Sequence, residues 1–397
     1  MPRSRPLETA CGRQSRREFL ALSAAGFAAG AAAPAVHAAG GDGEIRVGLL
    51  GCGGRGTGAT LQAAAADPAV RIVAIGDVFA DQLDASAHIL ARDVSAQFVC
   101  PATARFVGGD AYRRVLDAGV DAVVIAAPPH LRPLHVEAAV AAGAHVFCET
   151  PAAIDPAGAM RVARALAAAR AAGLSVASGF HSRRDTSLAS LVADVRAGAI
   201  GRPESVDVHA TWHGPWRVSA RPASTAAEKR LRNWVSCDAL SGGQFVERHV
   251  HAIDRALWVL GDRAPASAEP LPGAGGDAVA VRYRFDDGSD IRASSTRVER
   301  GHDAAREAVV GSRGSRDLRL ASDGCRFQAT MDEFLRAIRS ASAMDDADIL
   351  VRGSLVAIMG RLAAASGRVV GWDEMLAANA SAYPVCHVDK GVNLHGV

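Results

Sequence analysis

A chain of 397 residues is long enough for two or three domains and too long for a single small module. With 49% hydrophobic and 22% charged residues, 40 glycines and 17 prolines, it is neither disordered nor collagen-like. Lys+Arg of 44 against Asp+Glu of 42 leaves a formal charge of +2, which gives no electrostatic footprint for nucleic acid or an acidic membrane and suits a small neutral substrate.

The first stretch reads as an address. Arg3, Arg5, Arg13, Arg16 and Arg17 precede a weakly hydrophobic run of Ala, Gly, Leu and Phe up to Ala33, a signal-peptide profile. Ser15-Arg16-Arg17-Glu18-Phe19-Leu20 resembles the twin-arginine export signal, and Val36-His37-Ala38 offers small residues for cleavage. Residues 1–38 are therefore expected to engage twin-arginine export machinery and to be removed, leaving a periplasmic or otherwise exported protein without a membrane anchor in its mature form. No later segment reaches the length of a membrane span on this reading. Substrates of that route are generally folded before transport, which implies a cofactor acquired beforehand and kept tightly bound.

From Glu44 the text changes. Ile45-Arg46-Val47-Gly48-Leu49-Leu50 reads as a buried parallel strand running into Gly51-Cys52-Gly53-Gly54-Arg55-Gly56, a G-x-G-x-x-G turn. A helix over Thr57 to Ala66 follows, then a strand from Val70 that ends at Asp77, 26 positions after Gly51. That order is the order of a dinucleotide-binding unit. Gly51 allows the tight turn, Gly53 lets the backbone approach a pyrophosphate, and Gly56 lets the helix pack on the strand. Gly54 and Arg55 open a helix whose N-terminus attracts phosphate, and Asp77 accepts from the adenosine ribose hydroxyls. The carboxylate favours NAD; Arg55 keeps NADP as the alternative.

Helices around Asp81 to Arg92, Gly109 to Ala118, Leu131 to Ala142 and Pro156 to Ala172 alternate with strands Ala122 to Ala127, His145 to Cys148 and Ser175 to Ala177. Alternation of this kind predicts a doubly wound parallel sheet over residues 44–178. Function belongs at the carboxyl ends of its strands, so Pro128, His130, Glu149 and Thr150 are cofactor candidates, with Glu149 reaching the nicotinamide ribose. His130 reads equally as a locally bonded helix-start residue.

Strands at Glu204 to Trp212, Ala278 to Phe285 and Ser289 to Arg297, with helices between and after them, predict an α+β domain over 179–380 with a large, mostly antiparallel open sheet. Residues 381–397 form a tail without a pattern. The informative stretch is Arg232-Asn233-Trp234 followed by Ser241-Gly242-Gly243-Gln244-Phe245-Val246-Glu247-Arg248-His249-Val250-His251-Ala252-Ile253-Asp254. On one helix Glu247, His251 and Asp254 fall at i, i+4 and i+7 and share a face. His251 is then the candidate acid/base, with Glu247 one turn away to orient its ring. Arg183, Arg184, Arg232, Asn233 and Trp234 would offer hydrogen bonds and an apolar face to a hydroxylated ring. His249 points to another face, so no metal site is expected. The seven cysteines form no C-x-x-C pair, and Lys229 and Lys390 are the only lysines, so thiol-metal and lysine chemistry have few candidates.

The order of these motifs resembles the Gfo/Idh/MocA oxidoreductase family, the glucose-fructose oxidoreductase and inositol dehydrogenase group, from Ile45 to about Asn379. The resemblance implies a Rossmann domain, a second domain whose open sheet forms a homo-oligomer interface, bound NAD or NADP, and hydride transfer from a hydroxyl of a sugar, sugar derivative or cyclitol. The family motif G-G-x-x-x-D-x-x-x-H appears as Gly242-Gly243 with Glu247 in place of Asp and His251 retained, a pattern that looks most like an exported subgroup. E-K-P reads Glu149-Thr150-Pro151, so the lysine that the family sets against nicotinamide and substrate hydroxyl is a threonine here. Threonine carries no charge and is no base near neutral pH, which leaves His251 to move the proton largely alone. Lys229 reads as a solvated turn residue. Two alternatives follow from the same residues: a catalytically degenerate nucleotide- or sugar-binding relative, and an NAD-recycling enzyme that cleaves glycosides.

Overall fold

The computed structural model describes residues 43–213, 225–272, 278–298, 303–318 and 325–378; residues 1–38, expected to be an export signal, and the tail 381–397 lie outside the described residues. Strands β1 (Ile45–Leu50), β2 (Val70–Asp77), β3 (Arg105–Val107), β4 (Ala122–Ile125), β5 (His145–Cys148) and β6 (Val176–Ser178) form one sheet in the order β3-β2-β1-β4-β5-β6. Every pairing in it is parallel. β4, β5 and β6 are buried at each position, as strands covered on both faces must be. This strand order puts the topological switch between β1 and β4, where the carboxyl ends of the strands open a crevice.

Strands β7 (Pro203–His213), β8 (Ser267–Pro270), β9 (Ala278–Arg284), β10 (Asp290–Val298), β11 (Ala304–Gly311), β12 (Gly314–Asp317) and β13 (Val370–Gly371) make a second sheet in the order β12-β11-β7-β10-β9-β8-β13. Among its described pairings only β7 with β10 is parallel. Along β10, Ile291, Ala293 and Ser295 are buried and the residues between them are not, the alternation of a sheet with one face on a core. The predicted succession of a doubly wound parallel sheet and a mostly antiparallel open sheet is therefore the one observed. β11 and β12 extend it beyond the strands legible in the sequence, because they are exposed at most positions and carry little apolar alternation.

Helix Ala347–Ser366 joins the two sheets. It is long and apolar enough to cross a membrane by length and composition, which corrects the expectation that no segment past the leader reaches that length, yet 67% of its apolar window is buried inside the protein. It packs between helix Pro156–Ala171 and the second sheet, as a core helix that is apolar on most sides does. Ser354 on this helix accepts the Ala152 N–H at 2.8 Å, and Arg361 donates to the carbonyls of Ile154 at 2.9 Å and Gly242 at 3.2 Å. One element thus holds both the loop after β5 and the glycine pair that leads to His251. Just before it in the chain, helix Cys325–Arg339 returns to the first domain and packs on helix Gly54–Ala66, with Arg339 paired to Asp67 at 2.6 Å.

Close approach to the central helix depends on its glycines: a Cβ on Gly360 would stand 2.0 Å from the Tyr283 hydroxyl and 2.9 Å from the Phe245 ring. Gly360→Ala is expected to lower stability by about 1–3 kcal/mol through overpacking, more than the roughly 1 kcal/mol that a mid-helix alanine returns. Urea unfolding checks it, and an unchanged midpoint would mean that Tyr283 and Phe245 move aside freely.

Candidate active site

At the carboxyl end of β1 the backbone makes a cradle that side chains would fill. Gly51 has a φ of +95° and a Cβ there would lie 2.5 Å from the Ala127 nitrogen; one on Gly56 would lie 1.9 Å from the Gly51 carbonyl oxygen. In front of Gly53 and Gly54 nothing lies within 4 Å. Helix Gly54–Ala66 starts there with no side-chain cap, so its first N–H groups and its dipole are left for an anion. Asp77, at the end of β2, accepts the Cys52 N–H at 2.7 Å on one oxygen and the Phe79 N–H at 2.8 Å on the other. Burial raises its pKa while these N–H groups hold it down. Pinned in this way, the carboxylate keeps lone pairs for a ribose diol. Open space over an uncapped helix start, with an acid at the end of the next strand, fits a dinucleotide.

The crevice continues past β4 and β5. Pro128 is partly exposed there, and His130 Nδ1 donates to the Leu240 carbonyl at 3.1 Å, which ties the two domains together. Burial pushes the His130 pKa down to about 4, so the ring is neutral. Glu149 is buried; burial alone would raise its pKa, but His181 and Arg55 hold it far below the usual carboxylate range. Arg55 Nε lies 2.6 Å and His181 Nε2 3.7 Å from its Oε1. Arg55 also stacks over Phe327, and His181 bonds Thr330 through Nδ1 at 3.1 Å.

Beside Glu149, Thr150 Oγ1 stands 3.4 Å from His251 Nε2. The Phe180 ring meets the imidazole edge-on, with centroids 5.8 Å apart. Burial, with Arg255, His181 and Arg132 adding to it and Glu149 opposing, lowers the His251 pKa to about 3. Glu247 does not share its helix. Helix Gly243–Glu247 ends and a new one, Val250–Val259, begins beyond Arg248 and His249, which corrects the expectation of one continuous face. At this break His249 is fully buried, with its ring against Phe245. Glu247, 22% exposed at its side chain, keeps a buried Oε2 without a hydrogen-bond partner, and desolvation raises its pKa against the pull of Arg248 and Arg132. Asp254, the third residue of the expected face, is buried against Arg183.

The residues expected to bind substrate are committed elsewhere. Arg183 bonds Asp254 and Asp262, both at 2.6 Å, and Arg184 holds Asp346 at 3.0 Å and Glu333 at 2.9 Å, so both are structural ties. Arg232 lies at the adenosine end: it bonds Asp81 at 3.0 Å and Glu228 at 2.7 Å, and stacks on Phe79 at 4.0 Å. Asn233 donates to the Lys229 carbonyl in its own helix, Lys229 is exposed, and Trp234 is partly buried in a short 3-10 turn. Among the described residues no cluster could hold a metal ion. Arg132, His181, Phe327 and Thr330 complete the site without having been read from the sequence. Their partners are distant in the chain, and only the clustering of His130, Arg132 and His135 after β4 hinted at one of them.

Residues 45–178 match the model of the Gfo/Idh/MocA oxidoreductase family with an NAD-binding Rossmann fold, and residues 190–316 match the Gfo/Idh/MocA C-terminal domain. A myo-inositol 2-dehydrogenase of Thermotoga maritima is 26% identical over 71% of this chain and 76% of its own length. An inositol 2-dehydrogenase of Acidothermus cellulolyticus is 34% identical over 41% of this chain, a match that spans 43% of that relative. The solved structure of scyllo-inositol dehydrogenase from Lactobacillus casei with NAD(H) and scyllo-inositol superposes with a TM-score of 0.62 at 19% identity, covering 83% of this chain and 99% of that one. That likeness speaks for the fold.

Burial depresses His130 and His145 to about 4 and His135, His249 and His251 to about 3. Each ring is neutral when folded and takes up a proton near pH 6.5 once unfolded, so its stabilisation is full above that pH and is lost as pH falls toward 4 and 3. Urea unfolding at pH 5 and pH 7 should show this acid loss, and His249→Leu should shrink it by about 1.4 kcal/mol per pH unit. Equal acid loss in the variant would mean that His249 is not held neutral.

Proposed function

The chain belongs to the Gfo/Idh/MocA oxidoreductase family, and on that premise we propose that it is an NAD-dependent dehydrogenase of a cyclitol or sugar hydroxyl in which His251 accepts the proton. The observation that carries this reading is the 3.4 Å approach of His251 Nε2 to Thr150 Oγ1, which sets an imidazole from the second domain against the carboxyl end of β5. When bound, the nicotinamide supplies a two-electron hydride acceptor. The chain's own residues do the rest. His251, neutral down to about pH 3, takes the hydroxyl proton on Nε2 as the C–H electron pair departs and the C=O bond forms. Thr150 holds that hydroxyl by one hydrogen bond.

Asp77 at the ribose disfavours a 2'-phosphate, and Arg232, the arginine at that end, bonds Asp81 and Glu228, which supports NAD over NADP. Segments from beyond the first sheet lie on Phe79 and on helix Gly54–Ala66, in support of a cofactor that is kept tightly. A loaded, folded protein suits the twin-arginine-like leader and a periplasmic destination, and the open second sheet suits a homo-oligomer. The names of the inositol dehydrogenases that match point to a cyclitol first. Glu247 favours one variant of this reading: with burial raising its pKa it is a second base, able to take a carbon-bound proton, as elimination of a glycosidic substituent after transient oxidation requires. Release of an aryl alcohol from an aryl glycoside without added NAD reports that course.

Mass spectrometry of the nucleotide freed by denaturing the purified protein is expected to give NAD; NADP would overturn the coenzyme assignment. With myo-inositol, scyllo-inositol and a sugar panel, His251→Ala should lose about a hundredfold or more in turnover at unchanged nucleotide content. Unchanged turnover removes His251 from the chemistry. A wild type that holds NAD and reduces it with none of these compounds is a binding protein, and Thr150→Lys is then the variant in which activity should return.

A further inference from the structure

We propose that Arg232 latches the adenosine end of the cofactor site: it is a positioning residue of the second domain that fixes the turn carrying Asp77 and so keeps the dinucleotide from leaving. The proposal rests on the dinucleotide reading above and deepens it by naming the contact that governs release.

The turn in question follows β2. Asp77 closes that strand, and its Oδ1 takes the Phe79 N–H at 2.8 Å while its Oδ2 takes the Cys52 N–H at 2.7 Å. Phe79 precedes helix Ala80–Asp93, and Asp81 stands in the first turn of that helix. The acid that would accept a ribose diol is thus bonded to the residue on which Arg232 lies. The Arg232 guanidinium is 4.0 Å from the centre of the Phe79 ring. Its Nη1 and Nη2 donate to the two oxygens of Asp81 at 3.1 and 3.0 Å, and its Nε donates to Glu228, one helical turn back, at 2.7 Å. Only 8% of the side chain is exposed. A two-pronged pair of this kind is directional, so a small shift of either domain strains both bonds together.

Arg232 lies 151 residues beyond Asp81, in the second domain, and the segment that carries it is not built as core. No residue from Thr225 to Cys237 is buried. A segment without buried apolar anchors costs little to open locally. Its tie to the first domain is Arg232, through Asp81 and Phe79. At the other end of the crevice the domains are joined by the buried helix Ala347–Ser366, through Ser354 and Arg361. The nicotinamide end is therefore held by core packing and the adenosine end by charge. A crevice closed in this way opens at the charged end. An ion pair that merely joined the domains could sit anywhere along their border; this one sits on the residue bonded to Asp77, so that opening it frees the ribose acceptor at the same moment.

Exchange of bound NAD for labelled NAD reads the latch directly and needs no turnover. Wild type, Arg232→Gln, Asp81→Ala, the double variant and Arg230→Gln are loaded with NAD and chased with an excess of isotopically labelled NAD, and the bound nucleotide is followed by mass spectrometry. Arg232→Gln should exchange about a hundredfold faster than wild type and Asp81→Ala about tenfold or more. The double variant should exceed Arg232→Gln by no more than about threefold, because both changes remove the same bonds. Arg230→Gln, at an exposed position of the same helix, should stay within about twofold of wild type. Hydrogen exchange gives a second reading: amides of Thr225 to Cys237 should exchange more slowly in NAD-loaded wild type than in the nucleotide-free protein. Wild-type rates of NAD exchange in folded Arg232→Gln overturn the proposal even where its thermal midpoint falls, since that is the result of a tie that is only structural. A double variant whose effect is the product of the two single ones overturns it as well. Should the variants not fold, equal amide exchange over 225–237 with and without NAD overturns it alone. A wild type that binds no NAD overturns the dinucleotide reading and the latch together, whereas NAD bound and released at a rate insensitive to Arg232 leaves that reading standing and removes only the latch.

Discussion

Arg361 is where the architecture and the site meet. From the middle of helix Ala347–Ser366 its guanidinium reaches the carbonyls of Ile154 and Gly242, one just past β5 and the other just before the short helix that ends at Glu247. Ser354, two turns earlier, takes the Ala152 N–H. Backbone groups in buried loops must find partners, and here they find them on a single rigid rod shared by both domains. Because the rod fixes both loops, Thr150 and His251 face each other although 101 residues of chain separate them.

Within that crevice, burial acts on every group alike and the partners decide the outcome. Glu149 has Arg55 and His181 and stays ionised well below the usual range; Glu247 has no hydrogen bond on Oε2 and is pushed toward its neutral form. His251 is pushed the other way for the same reason, since desolvation penalises whichever form carries charge. Two carboxyls and an imidazole are thus shifted apart by their partners under the same burial. Such divergence between neighbouring titratable groups is the usual electrostatic mark of a reaction site rather than of a scaffold.

Legibility in the sequence followed the range of the interactions. The β5 run His145–Cys148 was readable to the residue, because a strand buried on both faces is an uninterrupted apolar run bounded by polar residues. The glycine turn and Asp77 were readable because their geometry is local. The break between Glu247 and His251 was not. Helical spacing treats the backbone as a continuous cylinder, whereas the burial of His249 and Phe245 against the second sheet turns the chain between them. Arg183 and Arg184 looked like substrate ligands because arginines after a strand end commonly are. Their carboxylate partners Asp254, Asp262 and Asp346 lie 71 to 162 residues further on, beyond any local pattern. Arg132 escaped notice for the complementary reason, since its partners are carbonyls, which every sequence has.

The composition then acquires a structural meaning. All but two of the 44 basic residues are arginine. An ammonium group moved into a site such as those of Arg132 or Arg183 would be pushed toward its neutral amine, and would satisfy at best one direction of hydrogen bonding at a time. A guanidinium keeps its charge under the same burial and offers a planar fork, so that Arg361 joins two carbonyls and Arg183 two carboxylates. A chain that ties its domains with buried cations is driven toward arginine. A lysine missing at position 150 fits a molecule whose buried cations among the described residues are arginines.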